Sequence, residues 1–136
     1  MFIYLVRHGE AVPEKDDPAR PLSEEGRAEV EATAGQLLAE GAKVAEIWHS
    51  GKLRAKQTAE IIANVLKVAR VIEKKGLKPN DDPRPIADLL READQPILIA
   101  GHLPFIPNLA GLLQPELRVK ELRSGGLVKL SLRKVS

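Results

Sequence analysis

Phe2-Ile3-Tyr4-Leu5-Val6-Arg7-His8-Gly9-Glu10 opens with five consecutive apolar residues and then places a guanidinium, an imidazole and a glycine side by side. The apolar run does not alternate, and it is rich in β-branched and aromatic types. It therefore reads as a strand buried on both faces, the kind found inside a parallel sheet. Open α/β sheets collect their ligands at the carboxyl ends of such strands, which is where Arg7 and His8 fall. Gly9 lets the backbone turn sharply, or approach another group closely, where a Cβ would obstruct. An imidazole beside a guanidinium sets a nucleophile next to an anion clamp. That pairing suits phosphate chemistry.

With 136 residues, the chain is expected to form one domain, residues 1–136, with a single substantial core. Hydrophobic residues make up 43%, which argues against disorder. The 21 Lys and Arg against 19 Asp and Glu leave a net charge of only +2, too balanced for a nucleic-acid binder. Cysteine is absent, which excludes disulfide, thiolate and zinc–sulfur chemistry. The apolar start from Met1 to Val6 is too short for a signal peptide or a membrane span. A cytoplasmic protein with no membrane partner is expected, taken as a monomer.

Further along, Glu10 to Pro21 is a polar loop with three prolines, long enough to carry function. Leu22-Ser23 resembles a hydrophobic staple and an N-cap, and Val30, Ala34, Leu37 and Leu38 keep helical spacing up to Gly41. Val44 to Trp48 reads as a strand closed by His49 and Ser50, with Ser50 as the cap of a second helix carrying Ala55, Ala59, Ile62 and Leu66. Val68 to Ile72 reads as a third strand, Lys74 to Arg84 as a turn-rich link, and Ile86 to Glu92 as a short helix. Pro96 to Ala100 is a strand continuing to Gly101-His102, and Pro104 starts a helix through Leu113. Val119–Leu122 and Gly126–Leu132 alternate as an antiparallel pair would. The alternation of strands and helices predicts an α/β domain in three layers: a mostly parallel central sheet, an antiparallel C-terminal edge, and helices on both faces. His49, Trp48 and Phe105 read as structural residues, and Lys52 and Lys56 as surface lysines.

Three strand ends thus carry candidate groups: Arg7 with His8, Arg54 just past Ser50, and His102. An Arg-His-Gly alone is a weak signal, but here it has company. Leu5-Val6-Arg7-His8-Gly9-Glu10 resembles the signature of the histidine phosphatase superfamily, the phosphoglycerate-mutase-like fold. Ser50-Gly51-Lys52-Leu53-Arg54-Ala55-Lys56-Gln57-Thr58-Ala59 is similar to the second block of that family, and Ala100-Gly101-His102 to the third. Ala11 after Glu10, the segment Asp17-Pro18-Ala19-Arg20-Pro21-Leu22-Ser23, Leu77 with Pro79, and His102-Leu103-Pro104 resemble the small SixA-type phosphohistidine phosphatases most closely.

The resemblance implies His8 as nucleophile, with Arg7 and Arg54 clamping the equatorial phosphoryl oxygens. His102 is expected to donate a further hydrogen bond, best when protonated, and neighbouring arginines to keep His8 neutral. Arg20 adds a phosphate contact, Asp17 orients Arg20 or the nucleophile, and Gly9 lines the substrate site. The arginines take the place of a metal, so no metal and no cofactor are implied. Asp17, Asp81, Asp82 or no residue at all remain open as the general acid. The link after the third strand is too short for a lid, which predicts a shallow, open site. The substrate implied is phosphohistidine on a phosphotransfer or carrier protein. A small-molecule phosphomonoesterase of the same fold, and an inactive module that binds a phosphorylated partner, are the competing readings.

Overall fold

The computed structural model describes residues 1–119 and 121–132. Its elements are β1 (Phe2–Arg7), α1 (Glu24–Ala39), β2 (Glu46–His49), α2 (Leu53–Leu66), β3 (Arg70–Glu73), α3 (Arg84–Glu92), β4 (Ile97–Gly101), α4 (Phe105–Leu113) and β5 (Leu127–Ser131). The five strands form one sheet in the order β3-β2-β4-β1-β5. The first four run parallel, and β5 pairs antiparallel with β1, Leu5 opposite Val128.

Two packed layers follow from the alternation along β1. Ile3 and Leu5 join Ile86, Leu90, Phe105 and Ile106 of α3 and α4 on one face. Tyr4 and Val6 join Val30, Leu37, Ala59 and Ile62 of α1 and α2 on the other. Both faces of β1 are therefore covered, which is why its apolar run has no polar phase. β5 sits at the edge and alternates as an edge strand does, with Val128 and Leu130 buried and Lys129 and Ser131 exposed.

The helix ends explain themselves locally, with one correction. Ser23 caps α1 by accepting from the Gly26 amide at 3.0 Å. Ser50 does not cap α2; Lys52 occupies the cap position and makes no side-chain cap bond. The Ser50 hydroxyl is instead engaged with a histidine. The expected antiparallel pair of Val119–Leu122 with Gly126–Leu132 also does not form. Among the described residues, 119 and 121–122 are irregular (Lys120 lies outside them), and β1 takes the place of the missing partner of β5. The physical reason is that Leu122 turns its carbonyl to the Arg7 guanidinium at 2.8 Å instead of to a ladder.

Gly9 and Gly26 are where β1 and α1 touch. A Cβ on Gly9 would come within 2.5 Å of the Gly26 carbonyl oxygen, and one on Gly26 within 2.0 Å of the Glu10 carbonyl oxygen. The obstacles are backbone and cannot swing aside. Close approach, and not a sharp turn, is what Gly9 serves. Gly35, on the exposed side of the same helix, meets nothing within 4 Å. Gly26→Ala should therefore lower the unfolding free energy by about 1–3 kcal/mol through overpacking. Gly35→Ala should raise it by roughly 0.5–1 kcal/mol through helix propensity. Urea titration of the two variants checks the contrast, and equal effects would contradict the close-approach account.

Candidate active site

Parallel neighbours share one carboxyl edge, so β2, β4 and β1 deliver Ser50, His102 and His8 side by side. The His8 amide bonds the Gly101 carbonyl at 2.9 Å, and the Arg7 and His8 carbonyls accept from Gly125 at 2.9 and 3.1 Å. The nucleophile candidate is thus held between β4 and the turn leading into β5. Gly9 donates its amide to Thr58 Oγ1 at 3.2 Å, and that hydroxyl donates to the Arg54 carbonyl at 2.8 Å. Thr58, quoted in the second block but given no role there, ties the β1 turn to the first turn of α2.

His8 Nδ1 donates to the Gly9 carbonyl at 2.7 Å. A carbonyl can only accept, so this bond places the proton on Nδ1 and leaves Nε2 with its lone pair. The His8 and His102 ring centroids lie 5.2 Å apart. Among the described residues, four buried side-chain polar atoms have no protein partner, and three of them are Arg7 Nε, Arg54 Nε and His102 Nδ1. A buried orphan donor costs about 1–3 kcal/mol. The three belong to residues gathered about His8, which feels the charges of Arg54 and Arg7 and whose ring lies 5.2 Å from that of His102, a composition suited to an anion.

Electrostatics agree. The His8 pKa is lowered from 6.5 to about 4, by burial first and then by the charges of Arg54, Arg7 and Arg20, against the opposing Gly9 hydrogen bond. Loss of water is thus the largest single cause, and each of the expected arginines adds to it. The His102 pKa falls to about 3, again by burial first and then by His8, Arg54 and Lys52. Before an anion binds, burial and these charges thus favour the neutral ring, whereas the expected protonated donor concerns the phosphoryl-bound site. Arg54 is itself pushed below its ordinary value by burial and by Arg20. Arg20 therefore stands close enough to be felt by both His8 and Arg54. Its backbone is left-handed at φ 50°, held where Val12 and Pro21 pair across the loop at 2.8 Å and Gln57 accepts from the Leu22 amide at 2.7 Å.

The aspartates are occupied elsewhere. Asp17 Oδ1 accepts from the Ala19 amide at 3.0 Å, and the Asp17 carbonyl accepts from Arg20 N at 3.0 Å, so Asp17 shapes the turn that carries Arg20. Asp81 accepts from the Lys78 amide, and Asp82 holds Arg84 in a bidentate pair. One carboxylate does approach from the β3 side: a Cβ on Gly51 would sit 2.8–3.0 Å from the Glu73 carboxylate atoms. His49 is buried, and its Nδ1 accepts from the Gly51 amide at 3.0 Å, a structural role. Arg7 also lines a groove of about 870 Å³ shared with Leu103, Pro104, Leu122 and Arg123. Among the described residues no cluster of three or more His, Asp or Glu is arranged to hold a metal ion, and no helix is long and apolar enough to cross a membrane.

Comparison with known proteins gives these features a context. The sequence profile described as Histidine phosphatase superfamily (branch 1) matches residues 3–79. Among solved structures, a protein histidine phosphatase SixA complexed with tungstate is 25% identical, with a TM-score of 0.89 over 97% of this chain and 88% of that one. A proposed phosphohistidine phosphatase SixA from Agrobacterium tumefaciens is 21% identical, with a TM-score of 0.80 over 94% and 89%. A mycobacterial glucosyl-3-phosphoglycerate phosphatase in complex with VO3 is 16% identical, with a TM-score of 0.73 over 96% and 90%. The last two share the fold; their substrates belong to them.

The two lowered imidazoles predict a titration. Neither His8 nor His102 should take a proton as the pH falls through 6.5, the point at which the unfolded chain takes up both. Since the unfolded state binds more protons below that point, folding stability should decline from about pH 6.5 down toward pH 4 and be flat above it. Imidazole NMR titration checks this, and a midpoint near 6.5 for either ring would contradict the buried, cation-flanked site.

Proposed function

We propose that this chain, a member of the histidine phosphatase superfamily (branch 1), hydrolyses phosphohistidine on the surface of a phosphotransfer or carrier protein, through a phospho-His8 intermediate and without a metal. The observation that carries the proposal is the set of three orphaned donors, on Arg7, Arg54 and His102, around a neutral imidazole whose Nε2 is free.

The reaction balances with these groups alone. Nε2 of His8 attacks phosphorus in line as the P–N bond of the substrate breaks. The departing imidazole, protonated on its far nitrogen, leaves neutral, so no acid is needed at the scissile atom. Phospho-His8 keeps its Nδ1 proton on the Gly9 carbonyl and is therefore a phosphoimidazolium. Water attacks its phosphorus, the P–N electron pair returns to Nε2, and the proton from water leaves with the phosphate. Arg7 and Arg54 neutralise the oxygens throughout, and Arg20 adds charge from the loop. Removing one such donor, as in Arg54→Ala, should lower kcat by about two to three powers of ten.

The engagement of Asp17, Asp81 and Asp82 in turns favours a leaving group that needs no acid. Glu73 supports a second reading. Its carboxylate against Gly51 could protonate an alkoxide, as a small-molecule phosphomonoesterase requires.

Turnover should persist in strong chelator, because arginines carry the charge, and tungstate or vanadate should inhibit; loss of activity in chelator with rescue by magnesium would overturn this. The substrate is settled by kcat/KM on a phosphorylated phosphotransfer domain against 3-phosphoglycerate and sugar phosphates. The protein substrate should win, and Glu73→Gln or the Asp81→Asn/Asp82→Asn pair should barely slow it. A metabolite preferred by a wide margin, with Glu73→Gln crippling, would replace this reading with the second.

A further inference from the structure

The Ser50 hydroxyl lies 2.7 Å from His102 Nε2, with both residues buried. The same oxygen accepts the Lys52 amide at 3.3 Å. Among the described residues His102 Nε2 is the only partner shown that could take the Ser50 hydroxyl hydrogen, although the oxygen has a second lone pair that could instead accept Nε2–H. The other ring nitrogen, Nδ1, is the buried atom without a protein partner.

A neutral imidazole carries one N–H and one lone pair, and the two tautomers present opposite faces to an anion. With the proton on Nδ1, His102 offers a donor to a phosphoryl oxygen. With the proton on Nε2, the hydroxyl hydrogen of Ser50 loses its acceptor, and a lone pair faces the anion and repels it. The site leaves no third choice while the ring stays neutral. His8, at the end of β1, and Arg54 and Lys52, at the start of α2, all disfavour a second proton, as does burial.

We propose that Ser50 is a positioning residue: by donating to Nε2, it locks His102 in the tautomer that aims Nδ1–H at the phosphoryl group. The inference rests on the reading of this site as a phosphoryl-transfer centre. The role also explains why Ser50 sits one residue before Gly51, whose backbone at φ 91° turns the chain out of β2 and frees the hydroxyl from capping α2. The amide of Gly51 is fixed in turn by buried His49, so the serine rides on a braced turn.

Long-range ¹⁵N–¹H spectra of the full chain read the tautomer directly, and there are only three histidines to assign. In the wild type, His102 should show a protonated Nδ1 and an unprotonated Nε2. In Ser50→Ala the population should move toward Nε2–H, with kcat down about ten- to a hundredfold, the scale of a misplaced or lost donor. KM should change far less, since the arginine clamp remains. Ser50→Thr, which keeps the hydroxyl, should restore both the tautomer and most of kcat. A wild-type His102 protonated on Nε2 overturns the inference, and this needs no variant to fold. So does a Ser50→Ala protein that keeps Nδ1–H, or one whose kcat stays within twofold of wild type. Absence of phosphatase turnover in the wild type would count against the functional reading, while the tautomer spectrum would still decide the role of Ser50.

Discussion

The hydrogen bond from His8 Nδ1 to the Gly9 carbonyl, 2.7 Å long, decides which nitrogen of the ring can act. In the proposed reaction it would also make phospho-His8 an imidazolium, so that the second half-reaction could proceed with water alone. The turn that carries the bond packs against α1, and it does so only because Gly9 and Gly26 carry no side chains. Thr58 pins the same turn from α2. Packing of backbone against backbone, and not a flexible loop, therefore sets the geometry of the proposed nucleophile.

The charge balance of the site is the second constraint. Arg7, Arg54 and Arg20 would hold a phosphate, yet burial and these same cations disfavour the proton on His8, and burial with His8, Arg54 and Lys52 disfavours it on His102. The two effects serve one end. A protonated His8 could not attack, and a neutral His102 can still donate if its tautomer is fixed. Burial is the largest single cause for His8 and each arginine a smaller one, so loss of one arginine should leave the ring neutral.

Much of this was legible in the sequence. The unalternating run in β1 forecast a strand covered on both faces, and the residues ending β1 and β4 lay where a parallel sheet gathers its ligands. The blocks at 5–10, 50–59 and 100–102 brought His8, Arg7, Arg54 and His102 to one edge in the structure as well. Arg20 was legible only by resemblance, since a left-handed arginine in a proline-rich loop has no periodic signal. Other features were invisible because they depend on contacts far apart in the chain. Local alternation at Val119–Leu122 looked like a strand, but Arg7, more than a hundred residues away, captures the Leu122 carbonyl. Ser50 looked like a helix cap because serines before helices usually are. Nothing local reveals that its hydroxyl faces a histidine 52 positions later.

The proposed chemistry turns most directly on where the phosphate rests during turnover. The enzyme should be mixed with a phosphorylated phosphotransfer domain, quenched in alkali within the first turnover, and its phosphopeptide mapped. The phosphate should lie on Nε2 of His8, survive base and be lost in acid. Phosphate on Ser50 or on a carboxylate, or hydrolysis that proceeds with His8→Ala at an undiminished rate, would contradict it.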